Sequence, residues 1–158
     1  MIDAVQGDNQ GVCESDNRNP FKGPFKGKGE NRLALRELET ELDKIHDEMD
    51  ILVERFNEVF RQPRPVHLRQ LRKRKYSLLW WRMVGKSGTF IQLFNSDKGD
   101  EVLTPLMGET RKMLMEFDKE RIRLNFRASV VGNALEAYRR RERDLASLDQ
   151  INMIGSVA

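Results

Sequence analysis

The chain has 158 residues, enough for one domain with a modest core. Charged residues make up 34% of it, aromatics 8%, and the formal net charge is +3, a balance typical of helical seams between charged faces. Cys13 is the sole cysteine, which excludes an internal disulfide and fits a reducing compartment; no apolar run reaches membrane-spanning length, and Met1-Ile2-Asp3-Ala4 lacks the features of a secretion signal, so a cytoplasmic location is expected.

Residues 1–30 are rich in Gly, Asn, Asp, Lys and Pro, have no apolar period and read as a flexible N-terminal arm. Within it, Pro20-Phe21-Lys22-Gly23 is followed by Pro24-Phe25-Lys26-Gly27. Phe and Lys alternating in this way either stack on bases and touch phosphates or pin the arm to the body through Phe21 and Phe25.

From Leu35 to Val59 the apolar residues are Leu35, Leu38, Leu42, Ile45, Met49, Leu52, Phe56 and Val59, with gaps alternating three and four. This is an a/d seam held for about four heptads, the mark of a coiled-coil helix that needs a partner. Asn31 is a candidate N-cap, and Pro63 and Pro65 end the helix after Arg61. Val53 and Phe60 fall at e positions and widen the stripe, while His46 lies beside the seam.

Charge is segregated along the chain. Glu37 to Glu58 holds nine acids, and Arg61 to Lys86 holds nine Lys or Arg and no acid. The basic block either meets a polyanion or faces the acidic helix of its own chain. Val66 to Lys75 reads as a basic linker, a short helix or an extended arm. His67 has no Cys or second His at ligand spacing, so no metal site and no cofactor are expected.

Tyr76–Val84 and Thr89–Phe94 flank the turn Gly85-Lys86-Ser87-Gly88 and predict a β-hairpin. Trp80 and Trp81 fall on opposite faces, one of which packs on the helices. Trp80 stands where a phosphate loop would need its first glycine, so Gly85-Lys86-Ser87 is not such a loop. Asn95–Asp100 reads as a second turn and Glu101–Leu103 as a short third strand. Thr104-Pro105 is a helix start, N-cap then N1, and a second seam runs Leu114, Phe117, Arg121, Leu124, Ala128, Val131, Leu135, Tyr138, Glu142, Leu145. Gly108 and Gly132 are weak points in that helix; Met113, Ile122, Phe126 and Val130 add a second apolar edge, and Arg139, Arg140, Arg141 and Arg143 make a basic patch.

The expected fold is mainly α with a small β-hairpin (α+β): two long antiparallel coiled-coil-type helices joined by a basic linker and a two- or three-stranded hairpin. The domain spans 31–149, with a β insertion at 76–103 at the tip and a frayed tail at 150–158. A homodimer through the Leu35–Val59 and Leu114–Leu145 seams would cover apolar surface left at Val53, Phe60, Ile122 and Phe126.

Pro24-Phe25-Lys26-Gly27-Lys28-Gly29, Leu79-Trp80-Trp81-Arg82 and Glu120-Arg121-Ile122-Arg123-Leu124-Asn125-Phe126-Arg127 resemble a family of uncharacterised small proteins carried on integrating conjugative elements and plasmids. The resemblance covers roughly residues 24 to 145 and implies a bacterial mobile-element setting, with no catalytic residues to carry over. The layout is also similar to the auxiliary mobilisation factor of conjugative elements, a likeness of plan only.

The expected function is a non-enzymatic accessory protein binding nucleic acid, with DNA preferred. The expected contacts are Arg64, Arg69, Arg72, Lys73, Arg74, Lys75, Arg82 and Lys86 on phosphates. Trp80 either stacks on an unpaired base or packs in the core. The alternative is a protein–protein adaptor in a conjugation or regulatory complex, docking other mobile-element proteins through the coiled-coil surface. An enzyme is disfavoured: Glu116 and Glu120 share a helix face, Asp118 points away, and no His supports them.

Overall fold

The structure, a computed structural model, describes residues 28–72, 75–85 and 89–155. Helix α1 (Lys28–Val59) is followed by strands β1 (Val66–Arg72), β2 (Ser77–Met83) and β3 (Phe90–Ile91), then helices α2 (Asp97–Leu103) and α3 (Gly108–Gly155). Among the described residues the chain is mostly helical, with one small antiparallel sheet in the order β1-β2-β3.

The heptad seam of α1 is its buried face. Leu42, Ile45, Met49, Leu52 and Phe56 are buried, with Leu35 and Leu38 half-buried against them. Near the end the stripe shifts: Val59 is 51% exposed and Phe60 is buried. An α-helix drifts by about 20° per heptad against a strict seven-residue repeat, which carries the core face from d to e over three heptads. Phe60 then stacks on Phe56 at 4.9 Å.

The second seam pairs with the first inside the same chain. Leu114, Phe117, Leu124, Ala128 and Leu135 are buried and Val131 is half-buried. Contacts join Glu39 to Arg139, Glu48 to Arg127 and Phe56 to Phe117, so residue numbers rise along α1 as they fall along α3. The two helices are therefore antiparallel. The seam residues thus face each other within one chain, the arrangement expected of an antiparallel helical hairpin. Val53 and Phe60 are covered too, whereas Ile122 and Phe126 remain 54% and 69% exposed.

Three expectations are corrected. The basic linker is strand β1: Val66 and Leu68 alternate with His67 and Arg69, a period of two, and β1 pairs with β2 from Val66↔Met83 to Arg72↔Ser77. The sheet does not sit at the tip. Ser77 reaches His46, Leu79 reaches Asn125 and Trp81 reaches Asp118, so β2 lies along the two helices as a second layer. Asn95–Asp100 and Glu101–Leu103 lead into and form α2 rather than a turn and a strand. Ser96 caps α2, its hydroxyl accepting from the Gly99 N–H at 3.0 Å, and Val102 and Leu103 face the core. A Cβ on Gly99 would lie 2.7 Å from the Gln92 carbonyl oxygen, so α2 closes on this backbone only through glycine.

Thr104 is accordingly the C-cap of α2, and α3 begins at Gly108. That helix runs unbroken through Gly132 to Gly155, past the expected tail boundary. Gly132 is buried under Tyr76, where a Cβ would lie 2.8 Å from the ring Cγ. It is a seat for the hairpin rather than a weak point.

Polar groups fasten the layers. Strand β3 is short and leaves the Ser77–Leu79 half of the β2 edge without a strand partner. Asn125 fills that place: its Oδ1 accepts from the Leu79 N–H at 2.7 Å and its Nδ2 donates to the Leu79 carbonyl at 2.9 Å. The Ser77 N–H donates to His46 Nε2 at 3.1 Å. Both side chains stand in for a missing strand and close an edge that would otherwise invite pairing. Beyond them, the buried Asp118 accepts from Trp81 Nε1 and from Arg121 Nε, each at 2.6 Å. Trp81 is fully buried, edge-on to Phe56 at 5.2 Å.

Candidate nucleic-acid interface

Strand alternation divides the basic block. Val66, Leu68, Leu79 and Trp81 point into the core, and the side chains between them form the outer face. That face carries His67, Arg69 and Leu71 from β1, Leu78, Trp80 and Arg82 from β2, and Phe90 from β3. Arg69 lies opposite Trp80, and Arg82 lies between His67 and Phe90. The Trp80 and Phe90 rings meet edge to face at 6.4 Å, and Phe90 is 40% exposed. The sequence has no Asp or Glu from Arg61 through Ser96, so no strand contributes an acid. Arg69 and Arg82 make no ion pair among the described residues.

His67 reports the field of this face. Its pKa is pushed below the ordinary histidine value, first by burial and then by the charges of Arg64, Arg69 and Arg82. Its Nδ1 accepts from Arg64 Nε at 2.9 Å, which places the proton of the neutral ring on Nε2.

Arg64 is engaged within the chain. Besides His67 it donates to Asn57 Oδ1 at 2.5 Å and to the Phe60 carbonyl at 3.2 Å, and it lies 5.7 Å from the centre of the Phe56 ring. These bonds hold the corner between α1 and β1. Arg72 and Lys75 lie elsewhere, at the hairpin end, where they line a cleft with Glu39, Asp43, His46 and Arg139. Acids face bases there, the arrangement expected if part of the block meets its own acidic helix. Lys73, Arg74 and Lys86, and Phe21 and Phe25 of the arm, lie outside the described residues. The structure thus brings Arg69, Trp80 and Arg82 together, with Arg64 at the margin through His67, and places Arg72 and Lys75 at the hairpin end.

The basic patch on α3 is largely engaged within the chain. Arg139 pairs with Glu39 at 2.7 Å, Arg141 donates to Asn31 at 3.1 Å, and Arg143 pairs with Glu136 at 3.3 Å. Arg127 bridges Glu41 and Glu48 at 2.8 and 2.7 Å, and those hydrogen bonds raise its pKa further. Among the carboxylates considered for catalysis, Asp118 holds Trp81, while Glu116 and Glu120 pair on the surface with Lys119 and Arg123. No cluster of three or more His, Cys, Asp or Glu among the described residues has the placement to hold a metal ion. No described helix is long and apolar enough to cross a membrane.

Sequence reasoning missed Phe90 as a member of this face and missed Asn125, Asp118 and Gly132 as its supports. One signal was present: Asp118 and Asn125 each adjoin an apolar seam position, where a polar side chain needs a buried partner. Comparison of the chain with protein-family models, curated proteins and solved structures yields no match.

Proposed function

We propose that this chain is a non-enzymatic accessory protein that binds nucleic acid on the outer face of its sheet, in the mobile-element setting its sequence resembles. The observation that carries this is the acid-free face on which Arg69 and Arg82 flank Trp80 and Phe90. Two cations that make no ion pair among the described residues suit phosphates, and aromatic rings between them suit bases. The test is fluorescence anisotropy with labelled oligonucleotides at several salt concentrations, comparing the natural chain with R69Q/R82Q. Gln keeps both positions polar while removing two charges. Weaker binding and a salt slope reduced by about 1.5 are expected. Equal binding by the double variant at every salt concentration would overturn the assignment.

A second reading, self-association or adaptor docking, rests on a different surface. Met115, Ile122, Phe126 and Val130 are 42%, 54%, 69% and 51% exposed along one face of α3. A second copy is the favoured occupant. A twofold axis level with Ala128 sets Phe126 beside Val130, and places Lys112 opposite Asp144 and Glu116 opposite Arg140.

A further inference from the structure

We infer that the ligand of the outer sheet face is an unpaired strand, bound by stacking of its bases on Trp80 and Phe90, and not a duplex. The inference rests on the nucleic-acid reading above and adds the class of ligand. The face is made by the side chains of β1 and β2 with Phe90 of the short β3, and so offers a strand surface rather than a recognition helix. A duplex offers such a surface only its phosphate ridges, because its base faces are covered by their neighbours. An unpaired strand offers those faces, and every base has one.

The arrangement of the face follows the same logic. Trp80 is on the central strand, with Arg69 directly across from it on β1. Phe90 is edge-on to Trp80 and belongs to the far strand, where it lies opposite Arg82. Each aromatic ring therefore has an arginine as its cross-strand partner. A base stacked on either ring brings its own phosphate within reach of that arginine. Adjacent strands lie about 4.8 Å apart, so the two aromatic–arginine pairs suit neighbouring nucleotides. His67 is held neutral by its surroundings and adds a polar edge beside Arg82 without adding charge.

Trp81 sharpens the test because it is the other tryptophan and is fully buried with its Nε1 on Asp118. Any quenching of indole emission by added oligonucleotide reports Trp80. The experiment titrates the full chain with oligothymidylate and with a hairpin duplex of equal phosphate number, following intrinsic fluorescence and anisotropy together. Tighter binding to the single strand is expected, with quenching that duplex does not produce. W80A should weaken single-strand binding at least about fivefold without changing the salt slope, and W80F, which keeps a ring, should retain most of it. Should W80A fail to fold, the quenching and W80F decide. Duplex binding equal to or tighter than single-strand binding, or single-strand binding without quenching, overturns the inference while leaving nucleic-acid binding intact. No binding to either at low salt overturns the nucleic-acid reading itself.

Discussion

Asn125 offers a direct measure of how firmly the sheet is held to the helices. Its amide makes two hydrogen bonds to one residue, at 2.7 Å from the Leu79 N–H and 2.9 Å to the Leu79 carbonyl. In Asn125→Ala both backbone groups lose their partner. A buried group left unsatisfied costs about 1–3 kcal/mol, and water reaches these partly buried groups to some extent, so a loss of about 2–4 kcal/mol is expected. Urea denaturation followed by far-UV circular dichroism reads that loss as a shift in midpoint at unchanged slope. Asn125→Asp discriminates further. It keeps an acceptor for the N–H but sets a carboxylate against the carbonyl, so it should be no more stable than the alanine variant at neutral pH and should recover in part as the carboxyl protonates. A change below about 0.5 kcal/mol for Asn125→Ala would refute the claim that this amide replaces a strand.

Gly132→Ala sets helix propensity, which favours alanine by about 1 kcal/mol, against overlap with the Tyr76 ring. Thermal melts should show net destabilisation, relieved when Tyr76→Ala is added, because the second change opens the space. His67 ties stability to pH. Its folded pKa lies below the value of about 6.5 in an unfolded chain, so the unfolded state takes up the proton first on acidification. The stability this group contributes is complete above that value and is lost as pH falls through the folded pKa; His67→Gln should flatten that part of a stability profile measured between pH 8 and 5. Phe126→Glu, at a side chain 69% exposed, should leave the melt within about 0.5 kcal/mol of the natural chain, and on the self-association reading it lowers the average mass found by sedimentation equilibrium.

Much of the helical layer was legible in the sequence. A seam with gaps of three and four forces Leu42, Ile45, Met49, Leu52 and Phe56 to one side whatever covers them, and the second seam supplies the cover. The sheet was read less completely. The Lys and Arg density of Val66–Lys75 masks the simple alternation of Val66-His67-Leu68-Arg69, which is what makes β1 a strand. Glu101–Leu103 reads as a strand after an Asn95–Asp100 turn, whereas the Ser96 cap and the close approach of Gln92 to Gly99 favour the helical turn. The candidate site was legible residue by residue and not as a set. Arg64 and Arg69 are alike in sequence, and only the fold shows one turned to the α1 corner and the other outward. Long-range partners such as Asn125 with Leu79 depend on two elements meeting, which no local pattern encodes.

The pair Trp80-Trp81 leaves β2 with two nearly equivalent phases. Moved by one residue, the strand would bury Leu78 and Trp80 in place of Leu79 and Trp81, and apolarity alone hardly separates the two. The difference lies in Arg82, which faces out beside Phe90 in the observed phase and would be carried inward in the other. An unpaired guanidinium in the core costs several kcal/mol, and the other phase would also lose the Trp81–Asp118 bond. An Arg82→Leu chain would keep its helices and its sheet while losing one of the two reasons to choose between phases, and adding Asp118→Asn would weaken the other. Two sets of indole N–H resonances, in place of one, would be the sign that these side chains set the strand's alignment.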